Sequence, residues 1–238
     1  GTYAFDANTT GSFNTVVGRA ALSANTDADH NTAIGYQALD LNTTGQYHVA
    51  VGSGALDANT TANNNTAVGY VALTSNTTGA QNTAIGRSSL STNTTGGGNT
   101  GVGYGALTAC TTGDNNTAVG QDSLGSNTTS SNSVAVGYQA LTSSTGGGNT
   151  AIGSQAGDSI TTGTDNVMVG YNVDASASGG VNQIVIGSGI SGGENSQFTF
   201  GKASNIVQNE FDTDAAWTRT SDIRKKRNVN DDSLGLSF

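Results

Sequence analysis

The chain has 238 residues with 35 glycines, no proline and 6% aromatic residues, which is not the composition of an ordinary globular core. Its formal net charge is −9, and residues 1–201 hold two basic side chains against eleven acidic ones, which argues against binding to nucleic acid or to an anionic membrane. No apolar run is long enough to span a membrane, and the single cysteine, Cys110, excludes an intrachain disulfide.

A nine-residue string, NTAIGYQAL at residues 31–39, recurs along most of the chain. Its glycine returns every 17 residues, with one step of 16 before Gly153. The repeat glycines are Gly1, Gly18, Gly35, Gly52, Gly69, Gly86, Gly103, Gly120, Gly137, Gly153, Gly170 and Gly187. A fixed short period is the sequence mark of a solenoid, in which each repeat forms one coil. Because Gly1 already occupies the glycine position, we expect the chain to be a fragment of a longer protein.

Two columns of mostly β-branched residues precede the repeat glycine and predict a short strand in each coil. The residue before the glycine is Val17, Ile34, Val51, Val68, Ile85, Val102, Val119, Val136, Ile152, Val169 or Ile186. The residue three before it is Thr15, Thr32, Val49, Thr66, Thr83, Thr100, Thr117, Val134, Thr150, Val167 or Ile184. Since side chains alternate along a strand, the two columns share a face, which we expect to form the core. The small residue between them, usually alanine, is then expected to face outward.

A leucine recurs four residues after the repeat glycine and supplies a second apolar anchor. The leucines of this column are Leu22, Leu39, Leu56, Leu73, Leu90, Leu107, Leu124 and Leu141. Turn sequences such as NTTG at residues 42–45 fill the remainder of the coil, because glycine adopts positive φ readily and asparagine bonds its own backbone. The sequence therefore predicts an all-β fold, a parallel β-solenoid of the β-roll or β-helix type whose 17-residue coils stack about 4.8 Å apart.

The predicted interior is narrow, since each coil contributes only about two large apolar side chains. One chain alone would bury little apolar surface. Alanines on an outward strand face would let a second backbone approach closely. We therefore expect a homotrimeric fibre, with three solenoids side by side or wound together.

The scattered polar and aromatic residues of the repeats predict no cofactor and no metal site. His30 and His48 occupy different repeat positions, although one histidine per chain can build a metal site on a trimer axis. Cys110 replaces the asparagine of a turn, which we interpret as a tolerated substitution. Tyrosines follow the glycine in alternate coils, where they either stack on sugars or cover the solenoid edge. These are Tyr36, Tyr70, Tyr104, Tyr138 and Tyr171.

Two patterns resemble functional motifs. The sequence NTT at residues 42–44 and its copies match the N-glycosylation acceptor pattern, but they recur because the turn recurs. Columns of threonine resemble those of ice-binding solenoids, in which evenly spaced hydroxyls match a lattice. Because the strand threonines are expected to point inward, the turn threonines are the candidates for ice binding.

The repeat period ends after Gly187, and large aromatic residues follow: Phe198, Phe200, Phe211 and Trp217. We expect three regions: a β-solenoid shaft at 1–190, an aromatic cap or transition segment at 191–220 that intertwines with its symmetry mates, and a C-terminal segment at 221–238. Residues 198–201, FTFG, are predicted to form the last strand, since a solenoid end needs a cap.

The C-terminal segment opens with SDIRKKRNV at residues 221–229. This string resembles the opening of the self-cleaving intramolecular chaperone domain of phage tail fibres, tailspikes and endosialidases, whose pattern Ser-Asp-x-Arg-x-Lys-x-Asn-Ile it matches except at Val229. The repeats are also similar to the arrays of viral fibre proteins and, more loosely, to the heads of trimeric adhesins. The resemblance implies a domain that trimerises the fibre and is released by a Ser/Lys dyad, with Ser221 as nucleophile and Lys226 as base. The segment is shorter than a complete domain of that kind.

These observations predict a structural protein of a virus particle, the shaft of a tail or host-attachment fibre. Its expected partners are two further copies of itself, other virion tail or fibre proteins, and a host surface receptor or glycan, and its only expected chemistry is self-cleavage. One alternative is the stalk of a trimeric adhesin on a bacterial surface. Another is a polysaccharide-degrading tailspike, which needs two carboxylates converging in a groove. Ice binding is a third alternative.

Overall fold

The structure, a computed structural model, describes residues 1–211 and 218–219. Within these residues the chain has no helix and forms one 14-stranded sheet whose strand order is the chain order. The strands are β1 (Thr15–Val17), β2 (Thr32–Ile34), β3 (Val49–Val51), β4 (Thr66–Val68), β5 (Thr83–Ile85), β6 (Thr100–Val102), β7 (Thr117–Val119), β8 (Val134–Val136), β9 (Thr150–Ile152), β10 (Val167–Tyr171), β11 (Ile184–Ser188), β12 (Gln197–Lys202), β13 (Asn205–Glu210) and β14 (Thr218–Arg219). No helix in this part of the chain has the length and apolar character needed to cross a membrane.

Strands β1 to β12 pair in parallel, each with the equivalent strand of the next coil. The register follows the repeat, so that Val16 lies beside Ala33 and Val17 beside Ile34. Turns also bond from coil to coil, as in the 2.9 Å hydrogen bond from the Leu39 N–H to the Ala55 carbonyl. The predicted parallel β-solenoid of 17-residue coils is confirmed.

The strands face the opposite way from the prediction. The middle residue is the buried one, with Ala67 and Ala118 fully shielded from solvent, whereas Val17 and Ile152 are 58% and 45% exposed. The prediction that the Thr and Val/Ile columns form the core, with alanine outside, was therefore wrong. In most coils the leucine column lies opposite the strands and leaves room for little more than an alanine. Where Gly157 replaces that leucine, the fully buried Met168 takes the alanine position instead.

Strand β6 shows how little room there is. It carries Gly101 in the alanine position, where a Cβ would lie 2.5 Å from Ser89 Oγ and 3.4 Å from Leu90 Cγ. Ser89 stands where most coils have alanine, and its Oγ donates to the Gly101 carbonyl at 2.9 Å. A larger residue on the turn side thus coincides with a smaller one on the strand side.

The solenoid changes topology at its C-terminal end. The step from Gly187 to Gly201 is only 14 residues, yet β12 still pairs in parallel with β11. Strands β13 and β14 then continue the sheet in antiparallel pairing. The strand predicted at 198–201 lies within β12, but the prediction that it is the last strand was wrong, because β13 and β14 follow it. Trp217 and residues 220–238 lie outside the described residues, so the intertwining of this segment stays a prediction.

Candidate functional site

The outward face of the strands is a continuous apolar strip, which we call the outer face. It consists of the Val/Ile column and the Thr column beside it, on strands β1 to β11. Six members of the Val/Ile column are exposed: Val17, Ile34, Ile85, Val119, Ile152 and Ile186. The strip continues onto β12, where Phe200 pairs with Ile186 and is 40% exposed. A long exposed apolar strip of this kind is typical of an association surface.

The outer face becomes more apolar toward the C-terminal end. In most coils the second column is threonine, but in β10, β11 and β12 it is Val167, Ile184 and Phe198. The rings of Phe198 and Phe200 lie 5.5 Å apart. Both columns are therefore apolar across these three strands.

A second exposed column lies immediately after the repeat glycine, and we call it the tyrosine column. It reads Arg19, Tyr36, Ser53, Tyr70, Arg87, Tyr104, Gln121, Tyr138, Ser154 and Tyr171. Its five tyrosines are all exposed, so they leave their rings open to solvent. The Arg87 guanidinium lies between two of them, 5.8 Å from the Tyr70 ring centre and 5.7 Å from that of Tyr104.

Two asparagine columns lie buried inside the coils. In the first, formed by the turn asparagines, Asn59 Nδ2 donates to Asn42 Oδ1 at 2.8 Å, and Asn76 Nδ2 donates to Asn59 Oδ1 at 3.1 Å. In the second, Asn65 Oδ1 accepts from the Asn82 N–H at 2.8 Å, while Asn65 Nδ2 donates to a turn carbonyl. The asparagines of the first column, such as Asn42 and Asn59, are the ones that match the glycosylation pattern, and burial withholds their amides from any enzyme acting on the folded chain.

Cys110 interrupts the first asparagine column. Its Sγ donates weakly to the Gly113 carbonyl at 3.6 Å, but it has no amide to offer Asn93. Asn93 Oδ1 therefore lacks the amide donor that Asn42 and Asn59 receive, and it is one of two buried Oδ1 atoms of this column without a partner in the described residues, the other being Asn25 Oδ1. Burial raises the pKa of the Cys110 thiol to about 11, so the thiol stays protonated and unreactive.

Replacing Cys110 with asparagine is expected to stabilise the chain by about 1–2 kcal/mol, because the new amide satisfies Asn93 Oδ1. Urea unfolding at a fixed chain concentration measures the change. The matched variant, Asn76→Cys, makes a new break and should lower the unfolding free energy by a similar amount. Equal midpoints for the original chain and Cys110→Asn contradict the expectation.

His48 takes an asparagine place in the second column and reproduces its hydrogen bonds. Its Nδ1 accepts from the Asn65 N–H at 3.2 Å, so the proton lies on Nε2, which donates to the Ala62 carbonyl at 2.7 Å. Nδ1 thus takes the acceptor role of an asparagine Oδ1, and the Nε2–H group takes the donor role of its Nδ2. Burial lowers the pKa of His48 to about 4, although its backbone hydrogen bonds oppose that shift.

Acid is therefore expected to destabilise the fold through His48. Between the unfolded pKa of 6.5 and the folded value of about 4, the unfolded chain binds a proton that the folded chain does not. The unfolding free energy contributed by this residue should fall by about 2 kcal/mol from pH 7 to pH 5. Urea unfolding of the original chain and of His48→Asn at both pH values isolates this share. If the two chains lose equal stability on acidification, His48 is not the cause.

The two histidines considered for a metal site lie in different surroundings. His30 is exposed in a ring stack, 4.9 Å from Phe13 and 5.3 Å from Tyr47, whereas His48 is buried. Over residues 1–211 and 218–219 no group of three or more His, Cys, Asp or Glu side chains could hold a metal ion. Ser221 and Lys226 lie outside the described residues, so the self-cleaving dyad stays a prediction.

Comparisons with known proteins do not identify a family for this chain. No protein-family model matches the chain, and neither the curated proteins nor the solved structures searched gave a match.

Proposed function

We propose that this chain is the shaft of a homotrimeric fibre, and specifically of a viral tail or host-attachment fibre. Its twelve parallel strands at about 4.8 Å spacing make a rod roughly 55 Å long. A rod of identical coils suits a mechanical task, holding a receptor-binding part away from a particle. No substrate is needed for that task.

The outer face is the observation that carries the proposal. A lone chain would leave an apolar strip open to water along its whole length, at a cost that grows with each coil. Three parallel chains about one axis would bury the strip of each against the strips of the others, with equal coils at equal heights. The contact between chains is therefore proposed on the Val/Ile and Thr columns. The strand alanines, which were expected to allow the close approach of a second chain, lie inside each coil.

Two further features support a fibre of this kind. The wholly apolar outer face of β10 to β12 provides a stronger association surface close to the C-terminal segment. That segment carries the chaperone-like string at 221–229. The resemblance implies that such a domain aligns three chains before their shafts associate. A trimeric adhesin stalk would use the same outer face, so the viral assignment depends on the C-terminal string.

A charge placed on the outer face should dissociate the fibre. In a trimer, Val119→Lys would bring three ammonium groups together in an apolar contact, and we expect the population to shift from trimer to monomer. The control is Thr112→Lys in an exposed turn of the same coil, which should leave the mass unchanged. Light scattering coupled to size exclusion measures both. If the two variants have the same mass, the outer face is not the interface.

Ice binding is a second candidate that the structure favours more than the sequence did. The strand threonines point outward on the outer face, spaced about 4.8 Å between coils and about 6.7 Å from the Val/Ile column. Such a regular array resembles the surface that ice-binding solenoids present. Ice binding needs the face free, whereas a trimer covers it. Thermal hysteresis from a monomeric chain would therefore favour ice binding over the fibre.

A further inference from the structure

The tyrosine column contains its own example of a bound cation. The guanidinium of Arg87 lies 5.8 Å from the Tyr70 ring centre and 5.7 Å from that of Tyr104, within the range of a cation–π contact on both sides. Arg19 makes a similar contact with Tyr36 at 5.7 Å. The tyrosines of alternate coils are thus spaced to hold one planar cation between two rings.

Three other places in the column lie between two tyrosines but hold no cation, and two of them, Ser53 and Ser154, are serines. Ser53 lies between Tyr36 and Tyr70, and its side chain is too short to fill the gap. Ser154 lies in the same way between Tyr138 and Tyr171. The flanking tyrosines are two coils apart, about 9.6 Å, as they are around Arg87. We call these two places the serine slots.

The charge around the serine slots also differs from that around Arg87. The coils of Tyr36 and Ser53 carry Asp40 and Asp57, and Gln37 Nε2 donates to Asp40 Oδ2 at 3.3 Å, which places this carboxylate on the turn that begins with Tyr36. Burial and the neighbouring Asp40 raise the pKa of Asp57. No Lys or Arg occurs between positions 20 and 86, so this acidic pair lacks such a counter-charge from its own coils; the flanking Arg19 and Arg87 contact the Tyr36 and Tyr70 rings.

The second serine slot also has an acidic pair, here on its own coil and the following one. Asp158 lies four residues after Ser154, and Asp174 lies three after Tyr171. Burial, with a contribution from Asp158, raises the pKa of Asp174 to about 6. In the coils around Arg87 the corresponding positions are neutral: Thr74, Ser91 and Thr108. Acidic pairs therefore accompany both serine slots and not the slot that Arg87 fills.

We propose that each serine slot binds the guanidinium group of an arginine side chain from a partner polypeptide. A guanidinium is planar and stacks between rings, as Arg87 does, whereas an ammonium is a compact and strongly hydrated point charge. The two slots lie six coils apart, about 29 Å along the rod, so a partner with two arginines at that separation would engage both. The inference does not depend on the fibre assignment.

The test uses the full chain labelled at the tyrosine rings and the probe Nα-acetyl-arginine amide. We expect saturable shifts of the ring signals of Tyr36, Tyr70, Tyr138 and Tyr171. Tyr47, which stacks on His30 in another column, is the internal control and should not respond. The matching lysine amide should bind about 2- to 5-fold more weakly.

Two variants make the outcome decisive. Ser53→Arg fills one slot from within, as Arg87 fills its own, and should abolish the response of Tyr36 while that of Tyr138 and Tyr171 persists. Arg87→Ser empties a slot and should make Tyr104 responsive. Absence of saturable shifts, an equal response at Tyr47, or a Tyr36 response that survives Ser53→Arg overturns the proposal.

Discussion

Replacing Leu73 with alanine is expected to lower the unfolding free energy by about 2–5 kcal/mol. Leu73 is fully buried and fills the space opposite the strand alanines, so its removal leaves a cavity that the stacked coils above and below cannot collapse into. Urea unfolding at one fixed chain concentration measures the loss, because assembly makes the midpoint depend on concentration.

Leu41 provides the matched control for this change. It is the same residue type in a nearby coil but is 51% exposed, so Leu41→Ala should change the unfolding free energy by less than about 0.5 kcal/mol. Similar losses for the two variants would mean that the leucine column is not the interior of the solenoid.

Replacing the repeat glycine Gly69 with alanine is expected to cost about 3 kcal/mol or more. Its φ of 139° is a conformation open essentially to glycine alone, and a Cβ there would lie 2.6 Å from the carbonyl oxygen of Gly86 in the next coil. The substitution therefore strains its own backbone and pushes two coils apart. Thermal unfolding of the purified variant should show a large fall in the midpoint, or no folded protein.

Gly179 separates this effect from a general intolerance of alanine. It lies in an exposed turn, where the nearest atom to an added Cβ, Thr162 Oγ1, is 3.3 Å away at the end of a side chain. Gly179→Ala should remain within about 0.5 kcal/mol of the original chain. If Gly69→Ala is equally mild, the coils are not stacked through the repeat glycines.

The period of the sequence was enough to predict the stacked coils, their register and the parallel pairing, because each repeat must place the same residue above its copy. The face of the strands that points into the core was not predicted correctly. Hydrophobicity favours Val/Ile over alanine for an interior, but the limiting quantity was the space left by the leucines. Two signals pointed the right way: most members of the neighbouring column are threonine, as on a solvated face, and Gly101 is paired with the larger Ser89.

The buried polar columns were beyond the reach of composition alone. Asparagines such as Asn42 and Asn59 fit a turn and were interpreted only as turn residues, but stacking places their amides within 2.8 Å of one another inside the coil. His48 was interpreted as an isolated histidine. It is equivalent to Asn65 only in the tautomer whose Nδ1 accepts and whose Nε2 donates, and the sequence does not show the tautomer. The left-handed backbone of buried leucines, with φ of 52° at Leu73, is likewise set by the closure of the coil and not by the residue's own preference.

The outer face was predicted only in part. Its residues were identified as one face of the strands, but their exposure, which makes them an interface candidate, follows only from the burial of alanine. The tyrosine column was recognised from its spacing, whereas the contacts of Arg87 with two rings required side-chain positions.

The mass of the unmodified full chain in solution tests the fibre most directly. Sedimentation equilibrium at micromolar concentration should give three times the 23.7 kDa of one chain, because the outer face needs partners along its whole length. A stable, fully folded species of single-chain mass across the concentration range would contradict a trimer built on this face.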